Sequence, residues 1–271
     1  MNTRYKSKIN LLVRDWPKGT VGTQRWLSSR SISRSLAQRY CISGWIERLG
    51  QGAYQLAGDK PGWMGAVYAL QSQLEFKLHV GAQTALELQN YRQHVPQNKG
   101  QPTWLLKSVK EKRSLPKWFS TCFMKTNNVH CMTRSLFDDD SLSLELLKVG
   151  NYELIVSTPE RAVLEYLNLV PNHFSFEQAQ FLIEGMMTLR PALLQLLLEH
   201  CTSIKAKRLF LVLAEHEGHP WWSELNVKKL VLGKSNLTIG KGGYYYPHYH
   251  ISLPVSLGTH EGYSNNDESL P

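Results

Sequence analysis

Residues 33–56 constrain the fold most tightly, because they set a short two-faced helix directly before a glycine-bracketed pair of β runs. Ser33 is a good N-cap, since its hydroxyl can accept from a free amide of the first turn. On the helix predicted over 34–42, Leu36, Ala37 and Tyr40 share one face, and Arg34, Ser35, Gln38 and Arg39 share the other. A single apolar stripe has to be buried, so other helices must pack on it. Ile9, Leu12, Val13 and Trp16 recur at i, i+3, i+4 and i+7 and mark a first helix over 6–15, stopped by Pro17-Lys18-Gly19. Thr23 caps a second short helix with Trp26 and Leu27 turned inward, and Ser29-Arg30-Ser31 is the turn to the third. Runs 46–49 and 53–56, joined by Gly50-Gln51-Gly52, read as a hairpin. Three helices followed by a hairpin predict a winged helix-turn-helix.

Charge points the same way. Residues 1–58 hold ten basic side chains against Asp15 and Glu47, a net +8 out of the chain's +9, while the other 213 residues are nearly balanced. A positive field confined to one small module suits a polyanion, because neutralised phosphates release counterions and drive binding. The outer face of the third helix offers the groups that read base edges in a major groove: arginine for guanine, glutamine for adenine, serine for either. Arg34, Ser35, Gln38 and Arg39 are therefore the candidates for base readout. Lys6, Thr23, Arg25, Ser31, Ser33, Gln51 and Tyr54 are the candidates for holding the module on phosphates, with Gln51 at the tip of the wing. The bland alternative is a small helical domain with a basic, solvated surface.

Gly58-Asp59-Lys60-Pro61-Gly62 breaks the pattern and reads as a hinge. Beyond it, 59–102 reads as a helical connecting segment, with a helix through Trp63–Leu74 and a strand end at His79-Val80 leading into a short helix. From 103 to 255 the texture is mixed. Strands are predicted over 103–106, 119–125, 129–133 and 152–156, and helices from Pro159, over 176–187 after the cap Ser175, over 191–201 and over 204–217. The last stretch, 256–271, is polar and reads as a disordered tail. The expectation is an α+β chain: a winged helix-turn-helix (1–58), then a larger mixed α/β C-terminal domain.

Other chemistry is sparse. Cys41, Cys122, Cys131 and Cys201 are scattered, with no C-x-x-C pair, and read as reduced small hydrophobes. His216-x-x-His219, with His200, His248 and His250 elsewhere, is a weak zinc pattern, because His219 precedes a proline. Asp138-Asp139-Asp140 reads as a charged loop before it reads as a magnesium site. Gly240-Lys241-Gly242-Gly243 lacks the spacing of a P-loop and reads as a tight turn. No catalytic constellation, cofactor or metal site is expected. No run of 18 apolar residues occurs, and the basic start lacks a signal peptide's apolar segment, so a cytoplasmic protein without membrane contact is expected.

Six blocks then agree in order: Ser33-x2-Leu36-Ala37-x-Arg39-Tyr40-x3-Gly44-Trp45-Ile46-Glu47; Leu49-Gly50-x-Gly52-Ala53-Tyr54; His79-Val80-Gly81-x2-Thr84-Ala85-Leu86-Glu87-Leu88; Ser157-x-Pro159-Glu160-Arg161-Ala162; Lys207-Arg208-Leu209-Phe210-Leu211; and Gly218-His219-Pro220-Trp221. In this order they resemble the AbiEi-type antitoxins of type IV toxin–antitoxin and phage-defence operons, over about residues 6–254. The resemblance implies a winged helix that represses its own operon at upstream DNA repeats. It also implies a C-terminal antitoxin domain that counteracts a partner toxin, usually a nucleotidyltransferase, without need of a stable complex. Glu160, Arg161, Lys207 and Arg208 are then either toxin-facing or structural. The chain departs from the family pattern at Tyr246-Pro247-His248. A monomer and a dimer assembled on DNA are both compatible with the sequence. The rival reading makes the C-terminal domain an enzyme, a nuclease or nucleotide-dependent modifier, targeted by the winged helix.

Overall fold

The computed structural model describes residues 3–91, 101–240, 243–254 and 257, with side chains from residue 8 onward. The Lys6 side chain, the middle of the 240–243 turn and all of the expected tail 256–271 except Leu257 lie outside the described residues. The chain divides into two compact units, one of residues 1–85, 97–135 and 143–158, the other of residues 86–96, 136–142 and 159–271.

The first unit opens with α1 (Thr3–Asp15), β1 (Gly22–Thr23), α2 (Gln24–Ser29), α3 (Arg34–Ile42), β2 (Ile46–Gly50) and β3 (Ala53–Leu56). The three strands form an antiparallel sheet in the order β1-β3-β2. Ile9, Leu12, Trp16, Trp26, Leu27, Ile32, Leu36, Ala37, Tyr40, Ile46 and Tyr54 form a single buried cluster, so the apolar stripes of all three helices converge. Trp16 and Trp26 meet edge to face at 5.0 Å, and the Trp16 indole N–H donates to Thr20 O at 3.1 Å. Fully burying the larger of these side chains stabilises by about 1.5–3 kcal/mol each. The β2–β3 connection slips register between Arg48 and Gly50, and Gly52 sits at φ +71°. That left-handed position is where a short bulged hairpin requires glycine.

The unit continues through α4 (Trp63–Tyr68), a π-helical turn (Ala69–Gln73), β4 (Leu78–Val80), the first four residues of α5 (Ala82–Leu88), β5 (Thr103–Lys107), α6 (Lys117–Phe119), a second π-helical turn (Ser120–Met124), β6 (Val129–Thr133), β7 (Leu144–Val149) and β8 (Tyr152–Ser157). Five strands make a mixed sheet in the order β6-β5-β4-β8-β7, in which β5–β6 and β4–β8 are parallel. Two buried glutamines of the first π turn act as surrogate backbone. Gln71 donates to Leu78 O and Ile155 O and accepts from Ile155 N–H (2.9 Å). Gln73 accepts from Thr23 N–H (2.7 Å) and donates to Val21 O (2.8 Å). Each pairs strand amides that would otherwise be buried without partners.

Two readings change here. The strand expected over 119–125 is helical, because Phe119 and Phe123 lie four residues apart with rings 6.0 Å from each other and bury on one helical face with Trp118. The break at 58–62 is fastened as well: Gly19 N–H donates to Asp59 Oδ2 at 2.7 Å, and Val21 N–H donates to Gly65 O at 3.4 Å.

The second unit is built on α7 (Pro159–Leu169), α8 (Phe176–Glu184), α9 (Pro191–His200) and α10 (Ile204–Glu217), with a small sheet of β9 (Leu237–Thr238), β10 (Tyr244–Tyr246) and β11 (Ile251–Leu253) in the order β10-β11-β9. Ser175 and Gln178 form a reciprocal capping box at the start of α8, and Gly218, left-handed at φ 62°, ends α10. α10 is buried from Ala206 to Ala214 and packs on α7 and α8.

Candidate nucleic-acid interface

The caps decide the geometry of the candidate reading helix. Thr23 Oγ accepts from Trp26 N–H at the start of α2, and Ser33 Oγ accepts from Leu36 N–H (3.2 Å) at the start of α3. Between them, Arg30, Ser31 and Ile32 turn the chain through amide bonds back to Leu27 and Ser28, with Ser31 left-handed at φ 59°. On α3, Leu36, Ala37 and Tyr40 are buried while Arg34, Ser35, Gln38 and Arg39 are exposed on the opposite face. The Arg34 guanidinium has no hydrogen-bond or ion-pair partner among the described residues. Ser35 and Ser33 share a hydroxyl–hydroxyl bond of 2.9 Å beside the free amides of the first turn.

The flanking candidates separate into two groups. Ser31, Ser33 and Gln51 are exposed, Gln51 at the hairpin tip. Arg25 is exposed but carries its own counter-ion, Glu75 Oε2 at 2.7 Å. Thr23 and Tyr54 are corrections: Thr23 is 1% exposed and committed to capping α2, and Tyr54 is 6% exposed, with its hydroxyl donating to Gln24 Oε1 at 3.2 Å. Both side chains are turned into the protein rather than onto its surface. Their work is to fix the angle between α2 and the hairpin, which also meet through Gln24 N–H to Gly52 O at 2.8 Å.

The charged candidates of the second unit are buried. Glu160 (1% exposed) accepts from the Arg190 backbone N–H and from its Nε and Nη2. Burial pushes the Glu160 carboxyl up, and the bonds from Arg190 overcome this and hold it below its ordinary value. Arg161 pairs with Glu165 at 2.7 Å and donates to the carbonyls of Asp140 and Leu142. Arg208 joins α10 to the carbonyls of Leu232 (2.8 Å), Ser235 (2.6 Å) and His250 (2.8 Å). Burial lowers the Lys207 ammonium and raises the neighbouring Cys201 thiol to about 11. All four candidates therefore lie inside the unit, not on a face.

The histidines have separate partners: His219 bonds to Ile183 O, His200 to Asp138 and His250 to the Tyr245 hydroxyl. Asp139 turns its own loop by accepting from the Ser141 N–H and hydroxyl. No group of three His, Cys, Asp or Glu among the described residues is placed to hold a metal ion, and the four cysteines are free thiols. No helix among those residues is long and apolar enough to cross a membrane.

A family model described as a transcriptional regulator, AbiEi antitoxin of a type IV toxin–antitoxin system, matches residues 102–254. A second, for the N-terminal domain of the AbiEi antitoxin transcriptional regulators, matches residues 5–97. The chain belongs to the AbiEi antitoxin family. As an AbiEi protein it is an antitoxin and a transcriptional regulator. Its fold is similar to the crystal structure of the RV2827C protein from Mycobacterium tuberculosis, at 13% identity and a TM-score of 0.53, covering 94% of this chain and 93% of that one. No curated protein matches it. The N-terminal AbiEi match runs past the hairpin through α4, β4 and α5, a stretch in which Gln73, Asp59 and Gly65 are fastened to residues 19–23, between α1 and α2. Sequence reasoning missed those fastenings, because a glutamine 50 residues downstream carries no local signal that it completes a strand.

Proposed function

We propose that this AbiEi antitoxin binds double-stranded DNA upstream of its own operon through a winged helix-turn-helix formed by α1–α3 and the β2–β3 hairpin, and so represses that operon. The observation that carries the reading is the split of α3: its buried stripe locks it onto α1 and α2, and its outer face leaves Arg34, Ser35, Gln38 and Arg39 in solvent. A rigid helix presenting arginine and glutamine from its first two turns suits direct readout in a major groove. Ser31, Ser33, Gln51 and Lys6 supply phosphate contacts, and Arg25 joins them when a phosphate displaces Glu75. The protein works in the cytoplasm as a monomer or as a dimer assembled on DNA. It uses no cofactor and catalyses no reaction.

The residues from about 103 onward counteract the partner toxin, a nucleotidyltransferase, without a stable complex being required. Glu160, Arg161, Lys207 and Arg208 support this part by holding its helices together rather than by touching the toxin.

A reporter fused to the DNA upstream of the gene tests the regulatory half. The intact protein should repress it, and Arg34→Ala with Arg39→Ala should relieve repression at equal protein level. Repression that survives the double substitution would remove α3 as the reading element.

A further inference from the structure

The five-stranded sheet ends on β7, and the hydrogen bonds of the neighbouring strand fix which groups that edge exposes. Leu146 of β7 stands opposite Ile155 of β8 in an antiparallel register. The Ile155 N–H donates to Gln71 Oε1 (2.9 Å), and its carbonyl accepts from Gln71 Nε2 (2.9 Å). Gln71 also donates to Leu78 O of β4, so both Ile155 groups point toward β4 and away from β7. Leu146–Ile155 is therefore a non-hydrogen-bonded pair, and the Leu146 amide and carbonyl face outward. Leu144 and Lys148, two residues away on either side, share that phase. The bond from Thr158 N–H to Ser143 O (3.1 Å) lies in the alternate phase and agrees with it. The outward groups of Leu144, Leu146 and Lys148 have no hydrogen-bond partner among the described residues.

Edge strands are ordinarily blunted by proline, a bulge or charge. β7 contains no proline, pairs with β8 without a register shift and carries Lys148 as its one basic residue. Leu144, Leu146 and Lys148 share a face, and Leu146 is 65% exposed. A cavity of about 670 Å³, walled by Tyr68, Gln71, Ser72 and Tyr152, opens beside Leu146 and Lys148, so this end of the face lies uncovered.

The outward row is self-complementary. A two-fold axis through Leu146 sets it against Leu146 of a second copy and sets Leu144 against that copy's Lys148. Every outward amide then meets an outward carbonyl. The register keeps each side chain on the face it already occupies, and the two exposed leucines cover each other. Centring the pair on Leu147 instead sets Leu144 against Gly150 in the turn and each Leu146 against a lysine.

We infer that β7 pairs antiparallel with β7 of a second copy of this chain, centred on Leu146, and joins the two five-stranded sheets edge to edge. The sequence is compatible with a monomer and with a dimer assembled on DNA; this contact makes a dimer without DNA. It does not depend on the reading of α3.

Sedimentation velocity of the full chain over a concentration series, with no DNA present, tests it. The parent should approach twice the chain mass as concentration rises. Leu146→Lys sets two ammonium groups against each other and should raise the dimer dissociation constant at least about tenfold. Leu146→Pro removes an N–H that β8 does not use, so it should lose the dimer while keeping the parent's urea midpoint. Leu146→Cys, which leaves the strand intact, should cross-link two chains on mild oxidation beyond the level of the parent's own thiols. Glu145→Cys should not, because its two Cα atoms would lie beyond disulfide reach. A parent that stays monomeric without DNA overturns the inference. So does a dimer that survives both Leu146→Lys and Leu146→Pro, or one in which Leu146→Cys fails to cross-link.

Discussion

Replacing Gly65 with alanine adds one methyl group within α4, where helix propensity alone favours alanine over glycine by roughly 1 kcal/mol. The surroundings oppose it. The new Cβ would stand 1.8 Å from Gly19 O, 2.8 Å from Gly19 C and 2.9 Å from Thr20 Cα, all backbone atoms. An ordinary carbon–oxygen contact is about 3.4 Å, so the two segments must separate by roughly 1.5 Å. That separation strains the Val21–Gly65 hydrogen bond and the neighbouring Gly19–Asp59 bond. Overpacking of this kind costs about 1–3 kcal/mol, more where backbone rather than a side chain must yield, which reverses the sign set by propensity. Urea unfolding should show a lower midpoint at unchanged m-value, with a net loss of at least about 1 kcal/mol. A Gly65→Ala protein as stable as the parent, or more stable, would refute the close approach of α4 to residues 19–20.

Ser33→Ala removes the cap of α3 and should cost about 0.5–2 kcal/mol by thermal or urea unfolding; it should also weaken DNA binding, which an anisotropy titration would register. The Glu160 carboxyl is held below its ordinary value, so its contribution to stability is present above the unfolded pKa of about 4.3 and is lost as pH falls through the folded value. Glu160→Gln should therefore lose about 1.5–3 kcal/mol at pH 7 and show a shallower decline than the parent on acidification below about pH 4; parallel curves would refute the linkage. Arg208→Leu strands three carbonyls that now share one guanidinium and should cost about 3 kcal/mol or more. Arg208→Lys should fail to rescue it, since one ammonium on a flexible stem cannot reproduce the planar fork, and full rescue in unfolding experiments would count against that geometry.

The elements most legible in sequence were those with a local punctuation. Ser33 and Thr23 cap the helices they precede, and α10 runs from Ile204 to Glu217 as its leucine spacing indicates. β7 went unread because it is an edge strand with no fully buried residue, so its alternation of apolar and polar side chains is weak. At 119–125 aromatic β propensity misled, since burial against Trp118 selected a helical period instead. Within the candidate interface the outer face of α3 could be read from spacing, because four residues of one helix share a face by geometry alone. Thr23 and Tyr54 could not be told from surface groups, as their burial depends on the β1–β3 pairing and on Gln24. The partners of Glu160 and Arg208 lie 24–42 residues away along the chain, beyond any local pattern.

The most direct test of the DNA-reading account is the affinity of the full chain for its own upstream duplex against a scrambled duplex of equal length, by anisotropy at two salt concentrations, with Arg34→Ala and Arg39→Ala beside the parent. The account predicts a preference for the native duplex that persists at the higher salt and a loss of about 1–3 kcal/mol with relaxed preference in each variant. Equal binding of both duplexes by the parent, vanishing together as salt rises, would contradict it.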